Sequence, residues 1–136
     1  MTDGTGVQPW ALRPPQEVTG AMVSAFLAGG AGVNAFCRKT GTEALVVDMG
    51  IASDIDPATV PGAERFFVEK HGRGTENFTL GPAMDRKRAV STILTGFRYA
   101  EKAFSQGIDI LVTGDMGIGN TTPSSAIGAE IGRAHV

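Results

Sequence analysis

The sequence predicts an α/β fold, a parallel sheet flanked by helices, on three observations. "EALVVDM" at 43–49 and "IDILVTG" at 108–114 are compact apolar runs of the kind that form strands buried on both faces. A long helical pattern separates them, and a glycine turn leading into a final helix follows the second. Strand, helix, strand, turn and helix in that order are the units of a parallel sheet with crossover connections.

Along the chain, residues 1–15 hold three prolines, two glycines and Trp10, a composition that resists regular structure. They read as an irregular N-terminal arm ahead of a domain over 16–136. From Gln16, "QEVTGAMVSAFLAGG" sets Val18, Met22, Phe26 and Leu27 near one helical stripe and stops at Gly29 and Gly30. "AGVNAFCRKTG" is a second short helix closed by Gly41. The strand over 43–49 carries Asp48 near its end and so delivers a carboxylate to its C-terminal edge. Residues 51–82 read mostly as loop, with Phe66, Phe67 and Val68 as packing groups, and a loop that long in a compact domain is more often functional or incomplete than ornamental. Asp85 caps the helix "RKRAVSTILTGFRYAEKAFSQG", in which Val90, Ile93, Leu94, Phe97, Ala100 and Phe104 repeat at helical spacing until Gly107. The last helix runs from near Thr121 to Arg133.

At 136 residues and a net charge of −2, the chain suits one modest domain and offers no basic field, which argues against nucleic acid as a partner. Cys37 is the single cysteine and reads as a buried free thiol in a reducing compartment. No uninterrupted apolar stretch reaches the roughly 18 residues of a bilayer span, and "MTDGTGVQPW" lacks the plan of a signal peptide. A cytoplasmic protein without a membrane partner is expected. The histidines, His71 and His135, and Cys37 show no repeated ligand spacing, so no metal site is expected. A G-x-S-x-G nucleophile elbow is absent from the sequence.

The glycine turn, "GDMGIGNT" at 114–121, is the candidate site. A glycine turn between a strand and a helix aims backbone N–H groups, and the positive end of the helix dipole, at an anion such as phosphate. The turn matches the spacing of a triphosphatase loop, G-x4-G-K-[ST], but Asn120 stands where the lysine would neutralise the β- and γ-phosphates. The dinucleotide fingerprint G-x-G-x-x-G finds Gly117 and Gly119 and meets Thr122 at its third glycine. A plain structural turn, needing glycine only for its backbone angles, is the third reading. Asp48 and Asp115 each follow an apolar run, so both are candidates to reach one rim of the sheet as acid, base or hydroxyl-binding groups; a turn carboxylate is the other reading of Asp48. "HGRGTENF" sets His71, Arg73, Thr75 and Asn77 in a glycine-bearing loop that suits a phosphate or a ribose, and equally suits solvent.

Four blocks, "PQEVTGAMVSAFLAGGAGVNAF", "LVVDMGIASDI", "RGTENFTLGPAM" and "GDMGIGNTTPSSAI", together resemble the nicotinate-nucleotide:dimethylbenzimidazole phosphoribosyltransferase family of cobalamin lower-ligand assembly. They stand in the family's order within residues 15–129. The resemblance implies a Rossmann-like core, incomplete here relative to the family, in a metal-free homodimer that needs no cofactor. It implies transfer of phosphoribose from nicotinate mononucleotide to a benzimidazole-type base, giving α-ribazole 5′-phosphate and nicotinate. In that setting Gly117, Gly119, Asn120 and Thr121 would hold the nucleotide's 5′-phosphate, and Asp48, Arg73, Gly74 and Thr75 would line the same side.

Several positions depart from the family. Asp115 replaces its usual glutamate, Thr5 stands near an expected histidine, and Ala21 stands where many members carry glutamine. The resemblance places the catalytic glutamate beyond residue 136, so no catalytic residue is assigned and Asp115 is a candidate supporting carboxylate. A non-catalytic module that keeps only the phosphate turn is the alternative.

Overall fold

The computed structural model describes residues 17–133. The N-terminal arm read for residues 1–15, with Thr5 and Trp10, and His135 lie outside the described residues. The elements in order are α1 (Glu17–Leu27), α2 (Gly32–Thr40), β1 (Val46–Asp48), β2 (Phe66–Val68), α3 (Arg86–Ser105) and α4 (Thr121–Arg133). Single turns of 3-10 helix at Pro57–Thr59 and Ala63–Arg65 lie between the two strands. The strands pair in parallel, Val46 against Phe66 and Asp48 against Val68. This is an α/β arrangement with flanking helices and an incomplete sheet.

The core is small. Val23 and Leu27 of α1, Val46 of β1, Ile51 and Phe66 are buried, with Phe26, Ile55 and Val60 packed against them. In α1 the buried residues Thr19, Val23 and Leu27 follow i, i+4, i+8 spacing. The stripe expected from Val18, Met22, Phe26 and Leu27 is therefore rotated, because the cover comes from β1 and Ile51 and turns a threonine inward. Gly29, at φ 77°, breaks the chain between α1 and α2. Within Val18–Thr40 an 18-residue window reaches a mean hydropathy of 1.4, as a membrane span would. It is divided into helices of 11 and 9 residues, each shorter than the roughly 20 a span needs. Asn34 joins the two helices, accepting from the Ala31 N–H at 3.1 Å and donating to the Phe26 carbonyl at 3.0 Å. Gly41 closes α2 at φ 67°, as its sequence predicts. Cys37 is a free thiol but half-buried, one turn short of that exposed helix end, rather than fully buried as expected.

Two expectations about strands are corrected. The apolar run at 108–114 forms no strand: Ile110 is 80% exposed and Val112 79%. An apolar run becomes a buried strand only when a neighbour pairs with its backbone and layers cover its faces, and the described residues supply neither. The second strand lies instead at Phe66–Val68, inside the segment read as loop, where three apolar residues among charges are too few to show a period.

Helix α3 begins as its sequence predicts, with the Asp85 carboxylate accepting from the Arg88 N–H at 2.7 Å, and turns off at Gly107, φ 85°. Its packing is inverted relative to an ordinary amphipathic helix. The face that meets the body carries Arg88, Thr92, Thr95, Tyr99 and Ala103. Arg98 and Tyr99 bond Glu69 at 3.0 and 3.1 Å, His71 bonds Thr95 at 3.0 Å, and the Tyr99 ring meets Phe67 edge-on at 5.5 Å. Burial, and then the Glu69 carboxylate it donates to, push the Tyr99 phenol up to about 12. The apolar stripe of Val90, Ile93, Leu94, Phe97 and Phe104 faces solvent.

A pair of substitutions checks this inversion. Ile51→Val removes one buried methyl group and should cost about 1 kcal/mol. Phe97→Ala removes a whole ring from an exposed position and should cost less than about 0.5 kcal/mol. Urea unfolding of the isolated chain with the opposite ranking would show that α3 packs the other way round.

Candidate functional site

Parallel pairing continues past the strand ends and builds the floor of the site. Glu69 N–H donates to the Asp48 carbonyl at 2.8 Å, His71 N–H to Met49 at 3.1 Å, and Gly74 N–H to Gly50 at 2.9 Å. Asp48 is fully buried where β1 ends. Its Oδ1 accepts from the N–H groups of Gly50 at 2.9 Å and Ile51 at 2.8 Å, which folds the chain sharply after the strand. Its Oδ2 lies 3.5 Å from the Lys70 ammonium. That ammonium also donates to the Ile51 carbonyl at 2.9 Å and the Ser53 carbonyl at 2.5 Å, and reaches Asp54 at 3.1 Å.

Arg73 is held nearby, donating to the Ala52 carbonyl at 3.0 Å and to Asp54 at 2.6 Å. The Arg73 guanidinium, followed by Lys70, holds the Asp54 carboxyl below its ordinary range, and Asp54 in turn raises the guanidinium's pKa. Gly74 is buried, and its carbonyl accepts from the Arg88 guanidinium. The same guanidinium fills the space beside Gly72, where any Cβ would overlap it. Thr75 follows, half-buried. Asn77 is spent on its own turn, accepting from the N–H and hydroxyl of Thr79 at 3.0 and 2.8 Å.

The glycine turn sits against the start of α1. Ile118 N–H donates to the buried Thr19 hydroxyl at 3.2 Å. Gly20, the next residue, lies against the Ser53 side chain, so the turn, α1 and the 51–55 loop are successive neighbours. Gly119 takes φ 80°, a conformation that disfavours any side chain, and lets the chain double back into α4. Asn120 is buried, and its amide donates to the Asp115 carboxylate at 3.0 Å, closing the turn like a clasp. Asn120 N–H goes to Gly117 and Thr122 N–H to Gly119. Among the described residues the N–H groups of Gly119 and Thr121 take no hydrogen-bond partner, and both residues are exposed. At the first turn of a 13-residue helix, two such donors can take an anion.

The site residues read from the sequence thus fall into two groups. Gly117, Gly119, Asn120, Thr121 and Asp115 form the turn. Asp48, Arg73, Gly74 and Thr75 belong to the adjoining layer, where Asp48 and Arg73 have charged partners of their own. Asp48 and Asp115 do not share a sheet rim, because Asp115 follows no strand and is exposed on the turn. Sequence reasoning missed Thr19, Asp54, Lys70 and Arg88, whose partners lie 14 to 99 residues away and leave no local pattern. A cleft lined by Leu45, Phe67, Tyr99 and Lys102 holds about 50 Å³, well short of the roughly 300 Å³ of a small-molecule site.

Burial ranks the two cations. The Lys70 side chain is 16% exposed and Arg73 59%. Lys70→Met strands a buried carboxylate and should destabilise the chain by about 3 kcal/mol, whereas Arg73→Gln breaks only a solvent-screened pair and should cost far less. Equal losses would contradict this ranking. Because the folded pKa of Asp54 is depressed, its contribution is present above the unfolded value and fades as pH falls through the folded one. In a carboxyl NMR titration Asp54 should therefore titrate below an ordinary aspartate and move upward in Arg73→Gln.

A family model described as "Phosphoribosyltransferase" matches residues 8–136. The nicotinate-nucleotide-dimethylbenzimidazole phosphoribosyltransferase of Geotalea uraniireducens is 50% identical over 117 residues, 86% of this chain and 32% of that protein. The protein of the same name from Salinispora tropica is 46% identical, over 95% of this chain and 37% of its own length. Two crystal structures from Thermus thermophilus superpose on the chain. One, of the enzyme of that name, gives a TM-score of 0.76 at 38% identity over 86% of this chain and 34% of its own. The other, of CobT, gives 0.78 at 36% over 95% and 37%. The chain thus spans about a third of the length of the relatives it matches, and over nearly all of its own length it belongs to the phosphoribosyltransferase family.

Proposed function

We propose that the glycine turn binds the 5′-phosphate of nicotinate mononucleotide, within an enzyme that transfers its phosphoribose to 5,6-dimethylbenzimidazole. The observation that carries this reading is that the N–H groups of Gly119 and Thr121, both exposed residues at the start of α4, take no hydrogen-bond partner among the described residues. A phosphate placed there would meet free backbone donors and the positive end of the helix dipole. The names of the relatives support the choice of nucleotide and acceptor.

Chemically, the ribose C1′ must be held between the departing nicotinate and an attacking benzimidazole nitrogen, with inversion at that carbon. Nicotinate leaves readily because its ring nitrogen is cationic in the nucleotide, so positioning supplies much of the rate. Asn120, oriented by Asp115, and the Thr121 hydroxyl flank the proposed phosphate position. The adjoining Asp48 and Arg73–Thr75 layer would line the ribose side. A base to take the acceptor's proton is not assigned among these residues. In this reading the residues of this chain supply the nucleotide-donor side of the site. The cytoplasm, where an unpaired cysteine stays reduced, is the compartment that fits.

Calorimetric titration of the chain with nicotinate mononucleotide tests the binding step. Binding should weaken at least tenfold in the Gly117→Val, Gly119→Val double variant, which strains the turn and covers its donors. Equal affinity in the two proteins, both shown to be folded, would sink the assignment.

A further inference from the structure

We infer that Thr19 is a positioning residue for the glycine turn: its buried hydroxyl holds the Ile118 amide and so sets where the N–H groups of Gly119 and Thr121 stand. The inference rests on the phosphate reading of that turn and names the residue outside it on which binding depends. Thr19 is 0% exposed and lies on the stripe of α1 whose other buried members are Val23 and Leu27. At such a position valine has nearly the same shape and no hydroxyl to desolvate, so a threonine is costly unless its oxygen is hydrogen-bonded. The oxygen is bonded: it accepts from the Ile118 N–H at 3.2 Å, across 99 residues of chain.

This bond fixes the place of the turn, where the turn's own bonds fix its shape. The Asn120 N–H reaches the Gly117 carbonyl at 3.1 Å and the Asn120 amide reaches Asp115 at 3.0 Å, so both travel with the turn as one piece. Ile118 immediately precedes Gly119, whose φ of 80° leads the chain into α4. Between the Ile118 amide and that of Gly119 there are only the two backbone rotations of Ile118, so holding the first restricts the direction of the second. One residue on from Thr19, Gly20 lies against the Ser53 side chain, and the Ser53 carbonyl accepts from Lys70, the ammonium that faces Asp48. Consecutive residues of α1 thus set the glycine turn in register with the layer of Asp48 and Arg73.

Two variants separate the hydroxyl from the packing. Thr19→Val keeps the volume and removes the hydroxyl, whereas Thr19→Ser keeps the hydroxyl and removes a buried methyl group. Calorimetric titration of the full chain with nicotinate mononucleotide, repeated with inorganic phosphate, should show affinity about tenfold weaker in Thr19→Val and within about twofold of the original in Thr19→Ser. Amide hydrogen exchange should quicken at Ile118 in Thr19→Val alone and stay unchanged at Glu69 and His71, whose amides bond the other side of the strand pair. Equal affinity in Thr19→Val, or an unchanged Ile118 amide, would overturn the inference and leave the phosphate reading standing. Tighter binding in Thr19→Val would overturn it too, by showing that Thr19 competes with the anion for that N–H, as would equal weakening in Thr19→Ser, which would assign the role to packing. An original chain that is folded and binds neither probe would fail the phosphate reading itself, and the inference with it. Should Thr19→Val not fold, Thr19→Ala set against Thr19→Ser makes the same comparison, since that pair differs by the hydroxyl alone, and equal binding in the two would be decisive against the inference.

Discussion

The buried Asp48 carboxylate is the constraint on which the rest of this structure depends. A charge with no exposed surface must be satisfied within the protein, and here one oxygen takes two backbone N–H groups while the other faces Lys70. The turn this enforces sends Ile51 into the core and presents the Gly50 carbonyl to Gly74. Gly74 in turn presents its own carbonyl to Arg88, in the first turn of α3. A single carboxylate thus sets the path of two loops and ties the strand pair to the long helix.

The glycine turn is attached to this framework rather than built from it. Thr19 reaches it from α1, the helix whose other buried residues are core, and Asp115 fastens it to itself through Asn120. Backbone geometry therefore dominates: Gly119 supplies the positive φ, and the residues that carry the free donors, Gly119 and Thr121, are exposed. Lys70 and Arg73, the cations nearest the adjoining layer, are committed to Asp48 and Asp54. An anion at the turn would be held chiefly by N–H groups and the helix dipole, a mode that needs no lysine of the triphosphatase kind.

Much of this was legible in the sequence, for physical reasons that differ by element. Caps and stops are local chemistry, so Asp85, Gly41, Gly107 and the span Thr121–Arg133 read correctly from a few residues each. The four blocks that carry the family resemblance are specific because they combine such local demands in a fixed order. Strands divide: the run at 43–49 does hold β1, but the other two readings fail. "ILVTG" has every property of a strand except the partner that makes one, and "FFV" has a partner but too few residues to show a pattern. The stripe of α3 was legible as apolar, but which way it faces is a tertiary fact: Glu69 and His71 claim the opposite side. Lys70 and Arg88 escaped notice because a basic residue in a charged segment looks the same in sequence whether solvent or a buried oxygen receives it.

Whether the N–H groups of Gly119 and Thr121 hold a nucleotide phosphate is addressed residue by residue by amide NMR of the 15N-labelled chain during addition of nicotinate mononucleotide. The largest and saturable shifts are predicted at those two amides, reproduced at higher concentration by inorganic phosphate, with small changes at Leu45, Phe67 and Tyr99. Saturating shifts centred on the cleft those residues line, or none at the turn, would contradict the proposed phosphate site.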